Sequence, residues 1–169
     1  MRIHFRVTAL SLLLVLLGAG SASAQLFVTT GRDTLRGLTG VEIAVEEVPP
    51  ELSQAKLTTA ALRATVEQRL RAGGITVYAT QAANPSTAKA YVYVQLTALA
   101  LPGSLQAVSI QVHLRQTVRS TVTESNIVDA MTWDAHTIAA LKPGEGAQLR
   151  DLVLEMVGRF VDDWRAVQH

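Results

Sequence analysis

The stretch "QAVSIQVHLRQTVRST", residues 106–121, constrains the fold more than any other. Val108, Ile110, Val112, Leu114 and Val118 occupy even positions, and Ser109, Gln111, His113, Arg115, Thr117 and Arg119 occupy odd ones. Side chains alternate across a strand, so this is a long strand with one apolar and one polar face. A strand of that kind belongs in a sheet with an apolar layer packed on its even face and water on its odd face.

The rest of the chain supplies both the sheet and the layer. "VEIAVEEV", residues 41–48, sets Val41, Ile43 and Val45 against Glu42, Ala44 and Glu46, and Pro49-Pro50 ends it because proline cannot donate to a ladder. "LTTAALRATVEQRLRAGG" reads as an amphipathic helix. Thr58 or Thr59 is its N-cap, Leu62, Val66 and Leu70 form its stripe, and Gly73-Gly74 is its left-handed stop. "ITVYAT" follows directly as a short strand, so strand, helix and strand should form a parallel pair with a helical crossover. "QAANPSTAK" is a loop by composition. "AYVYVQLTALAL" sets Val92, Val94 and Leu96 against Tyr91, Tyr93, Gln95 and Thr97.

"IVDAMTWDAHTIAAL" is the last strand, with Met131 and Trp133 in one phase and Thr132, Asp134, His136 and Ile138 in the other. The closing segment "AQLRDLVLEMVGRFVDDWRAVQ" carries Leu149, Leu152, Val153, Met156, Phe160 and Trp164 at steps of three and four, with Asp162 and Asp163 off the stripe. Its Gly158 costs about 1 kcal/mol relative to alanine. The order is β-α-β-β-β-β-α. The predicted fold is an α+β two-layer sandwich, with two helices covering one face of a mixed sheet over residues 41–169. Residues 25–40 hold three glycines and no sustained period, and read as a leader segment.

The first 24 residues set the compartment. Arg2 and Arg6 precede an apolar run from Val7 to Leu17, and Ala22-Ser23-Ala24 supplies small residues at a cleavage site before Gln25. This is the pattern of a secretory signal peptide, and the run is shorter than the roughly 20 residues of a spanning helix. No cysteine follows the small residues, so a lipid anchor and a stable membrane attachment after cleavage are not expected. The expected location is periplasmic or secreted. Taking Arg2 and Arg6 from the 15 basic residues leaves one fewer than the 14 acidic ones. A near-neutral chain makes no electrostatic case for nucleic acid. The chain has no cysteine, which excludes disulfides, thiol nucleophiles and Cys-ligated zinc.

Candidate chemistry concentrates in "TWDAHT". If the last two strands bury their apolar sets together, Asp134 falls opposite His113, and Thr132 opposite Arg115, on the polar face. An opposed carboxylate would raise the histidine pKa. His113, Asp134 and His136 then form the one constellation that could serve a metal or a general acid–base pair. A flat sheet offers no concavity and excludes no water, which favours a solvated polar face. Tyr91, Tyr93, His113, Arg115 and Arg119 make an aromatic and basic surface suited to docking a protein or glycan. Trp133 and Trp164 read as core.

Taken together, the signal peptide, "GLTGVEIAVEEV", "LTTAALRATVEQRLRAGGITV", "YVYVQL", "VSIQVHLRQTVR", "AMTW" and "FVDDW" resemble a group of small secreted bacterial proteins of unknown function. More distantly, the order of elements is similar to periplasmic accessory domains such as the amino-terminal domain of the Tol translocation protein and the LPS-assembly lipoproteins. The lipidated cysteine of the latter is missing. These resemblances imply a binding or assembly module, with no catalytic residue to carry over. The expected function is therefore a non-enzymatic exported module without a cofactor. It would dock an envelope protein through the open sheet face or an edge strand. The alternative is a small metal-binding protein or hydrolase using His113, Asp134 and His136.

Overall fold

The computed structural model describes residues 28–168; the signal segment, residues 1–24, lies outside the described residues. β2 (Gly40–Val45) buries Val41 and Ile43 fully and turns Glu42 and Ala44 to the other face. α1 (Thr59–Ala72) starts where the Ala61 amide donates to the Thr58 hydroxyl at 3.1 Å, which satisfies one of the helix's orphan N–H groups. Leu62, Val66 and Leu70 point into the core. Gly74, at φ +93°, turns the chain out, and the Ile75 amide reaches back to the Leu70 carbonyl at 3.1 Å. β3 (Thr76–Val77) then lies parallel to β2 as expected, but is only two residues long.

β4 (Tyr91–Ala100) lies parallel to β2 on its other side. β5 (Gln106–Arg119) and β6 (Asn126–Leu141) follow in antiparallel succession. α2 (Gly146–Ala166) closes the chain. The helices and the apolar sides of the strands share one cluster of buried residues. This is the two-layer α+β sandwich with a mixed sheet that the alternation implies.

The segment before residue 41, read as a leader, adds to this frame. β1 (Val28–Thr30) pairs antiparallel with β6, giving the strand order β1-β6-β5-β4-β2-β3. Gly31, at φ +82°, bends the chain so close to β6 that a Cβ there would lie 1.8 Å from the Thr132 carbonyl oxygen. A 3-10 turn over Arg32–Leu35 then delivers Leu35 and Leu38 to the core. Among the described residues of the segment, Leu35 and Leu38 lie in the core, and two such points make no sustained period.

Two expectations about single residues are corrected. Met131, placed with Trp133 in the buried phase, is 55% exposed, while Trp133 is 1% exposed. Leu114 faces Trp133 but Arg115 faces Met131, so Thr132 is an extra residue rather than the partner of Arg115. Such a bulge shifts the alternation by one residue. Thr132 has its own partners: its hydroxyl accepts from Gln116 Nε2 at 3.0 Å and its carbonyl from the Thr34 hydroxyl at 2.8 Å. Asp163, placed off the apolar stripe of the last helix, is buried. Its carboxylate accepts the Trp133 indole N–H at 3.0 Å and pairs with Arg32 Nε at 2.6 Å.

Candidate functional site

The sheet face opposite the helices is built in rows, because paired residues on neighbouring strands point the same way. Tyr91 pairs with Arg115 and Arg115 with Met131. In the next row Tyr93 pairs with His113 and His113 with Asp134, the register expected from the apolar phases. Gln95, Gln111 and His136 follow, then Thr97, Ser109 and Ile138. The face thus grades from aromatic and charged at one end to uncharged, with two hydroxyls and Ile138, in the last of these rows.

The charged end is tied together laterally. The Arg115 guanidinium lies 5.8 Å from the centre of the Tyr93 ring, within cation–π range. The Tyr93 and His113 rings stack at 6.3 Å with 30° between their planes. Arg115 Nη1 is 3.4 Å from Asp129 Oδ2, and the Tyr91 hydroxyl donates to Asp129 Oδ1. His136 Nδ1 is 3.3 Å from Asp134 Oδ2. Burial pushes both tyrosine hydroxyls above their ordinary pKa of 10.0, reinforced by Asp129 at Tyr91 and by Glu46 at Tyr93.

His113 behaves opposite to expectation. Its pKa lies below 6.5 because burial outweighs the upward pull of Asp134, and Arg115 and His136 push the same way as burial. Cross-strand proximity to a carboxylate was legible in the sequence; the degree to which neighbours cover the ring was not.

Of the residues anticipated for partner binding, Tyr91, Tyr93, His113 and Arg115 form one continuous group. Arg119 does not join them. It lies past a second irregularity in the ladder, between Gln116 and Val118, and is exposed near the end of β5. His113, Asp134 and His136 are neighbours, but among the described residues no three His, Asp or Glu side chains are placed to hold a metal ion. Asp129 is the participant that sequence reasoning missed. It takes a left-handed backbone, φ 61°, at the second irregularity, and that turns its carboxylate to both Tyr91 and Arg115. No sequence signal marks it, since its partners lie on two other strands.

No family model and no curated protein matches the chain. Solved structures of weak similarity include two lipoproteins. A minor lipoprotein from Acinetobacter baumannii is 9% identical with a TM-score of 0.32, covering 77% of this chain and 92% of its own. A candidate lipoprotein from Caulobacter crescentus is 12% identical with a TM-score of 0.26, covering 82% and 90%. Neither is described as a Tol-translocation or LPS-assembly protein, and at these scores neither bears on function. Among the described residues no helix is long and apolar enough to cross a membrane.

Proposed function

We propose that the protein is a non-enzymatic, exported binding module that docks an envelope protein through the open face of its sheet. Export rests on the signal-peptide pattern of residues 1–24. The observation that carries the docking reading is the Tyr91–Arg115–Tyr93–His113 group, in which Asp129 joins Tyr91 to Arg115 and a 5.8 Å cation–π contact and a 6.3 Å ring stack join Arg115, Tyr93 and His113, on the face that the helices leave bare. Tyrosine and arginine are enriched where partners bind, because they offer large, pre-ordered contact surfaces with a polar tip. Packing against one another lowers the side-chain entropy lost when a partner arrives. The Asp134–His136 pair offers a carboxylate and an imidazole, yet Ser109, the nearest serine on the face, lies in the row beyond His136. The face therefore has the makings of a contact surface rather than of a nucleophile–base pair.

The test is affinity capture from envelope extract with the unaltered protein and with a Tyr93→Ala/Arg115→Ala double variant. A partner captured by the former should be lost, or weakened at least tenfold, with the latter. If every captured protein is retained by the double variant, docking through this face is wrong.

A further inference from the structure

Past the last β4 pairing at Arg115, β5 and β6 continue as a two-stranded hairpin. The loop from Asn84 to Lys89 lies along its β5 side, where the Thr117 amide donates to the Ala88 carbonyl at 2.7 Å. Between loop and hairpin is a cleft of about 190 Å³ lined by Thr87, Ala88, Thr117, Val118, Arg119 and Asn126. Its polar side chains are one guanidinium, two hydroxyls and one amide, and all of them can donate. None of these four has a hydrogen-bond or ion-pair partner among the described residues. No aspartate or glutamate lines the cleft.

The walls are already ordered. Asn84 is fully buried, and its side-chain oxygen accepts the Ser86 amide at 3.0 Å. The Ser86 hydroxyl accepts the Ala88 amide at 3.2 Å, and Lys89 Nζ donates to the Asn84 carbonyl at 2.6 Å. The hairpin end is closed by the Ser120 amide on the Ser125 carbonyl at 2.9 Å. These bonds fix the backbone on both sides of the cleft, and the four donor side chains that line it are left without a protein partner among the described residues.

We propose that this cleft binds a single carboxylate, with Arg119 as its anchor. A guanidinium presents a planar fork of N–H donors and one positive charge, which match one carboxylate. Thr87, Thr117 and Asn126 add neutral donors but no second charge, so a dianion would be under-compensated. The carboxylate could belong to a small free acid or to the C-terminus of a peptide. A peptide would continue into the adjoining cleft, which shares Thr117 and is lined by Lys89, Tyr91, Gln116 and Val128 among others. The carboxylate site itself uses none of Tyr91, Tyr93, His113 and Arg115, whereas the adjoining cleft reaches Tyr91 and Asp129 at the border of that group.

Titration of the 15N-labelled protein with N-acetylglycine, and with N-acetylglycinamide as the uncharged control, tests it. Saturable amide shifts at Ala88, Thr117, Val118 and Arg119 are expected with the acid alone. Arg119→Gln, at an exposed position, should keep the rest of the spectrum and weaken binding at least tenfold. Equal shifts with the amide, no saturable shifts at these amides with the acid, or undiminished affinity in Arg119→Gln would overturn the site. A tetrapeptide with a free C-terminus separates the sources. Tighter binding with shifts reaching Tyr91 and Val128 assigns a peptide terminus, and affinity equal to N-acetylglycine assigns a small acid; both uphold the carboxylate site.

Discussion

His113 shows how one side chain can be governed by its cover rather than its nearest charge. The groups that face it are Asp134 across the ladder, Tyr93 stacked on its ring, the Arg115 guanidinium and the His136 imidazole. Burial is the largest influence and holds its pKa below 6.5. The unfolded chain therefore takes up a proton near the ordinary histidine value that the folded chain accepts only at lower pH. Stability tied to this group is present above about pH 6.5 and is lost as pH falls through the lowered folded value. We expect the urea midpoint to fall between roughly pH 7 and pH 5, and His113→Gln to flatten part of that fall. A midpoint that rises over the same interval would contradict this account.

Among the elements, β6 is the one whose character changes along its length. Up to Met131 its large side chains face water; from Trp133 onward its odd positions enter the core. The switch is the extra residue Thr132, held by Gln116 and Thr34. Two neighbouring large residues should therefore respond very differently to substitution. Trp133 packs edge-on against Phe160 at 5.0 Å, and Trp133→Ala should cost about 3–5 kcal/mol. Met131→Gln, at an exposed site, should change stability by no more than about 0.5 kcal/mol. Denaturant midpoints for the two variants decide it: comparable losses would mean that the bulge is misplaced.

In the molecule as a whole, the first described residues and the last helix are fastened together. Leu35 and Leu38 enter the core, the Trp164 indole donates to the Leu38 carbonyl at 2.8 Å, and the Gln168 amide side chain donates to the Leu35 carbonyl at 2.8 Å. Asp163 joins three elements at once, taking the Trp133 indole from β6 and Arg32 from the turn after β1. Its two partners are not equivalent. The Arg32 side chain is 62% exposed, so that ion pair is screened and worth about 0–1 kcal/mol. Removing the acceptor of a buried indole N–H costs about 1–3 kcal/mol. Asp163→Ala should therefore destabilise clearly more than Arg32→Ala in chemical denaturation. Equal effects would shift the weight to the ion pair.

The sequence by itself determined the layered architecture. Alternation in residues 106–119 and the apolar stripes of α1 and α2 are local records of which face is buried, and burial is the dominant stabilising force, so the pattern could be read directly. It also determined that Asp134 faces His113, because the two strands must bury their apolar sets together. The tertiary structure alone decided the rest. Thr132 as an extra residue, the exposure of Met131, the joining of Asp129 to Tyr91 and Arg115, the buried Asp163 and the lowered pKa of His113 all depend on neighbours brought in from distant parts of the chain. "TWDAHT" divides along that line: its alternation was written in the sequence, while the point where that alternation breaks was set by Gln116 and Thr34, which approach it only in the folded protein.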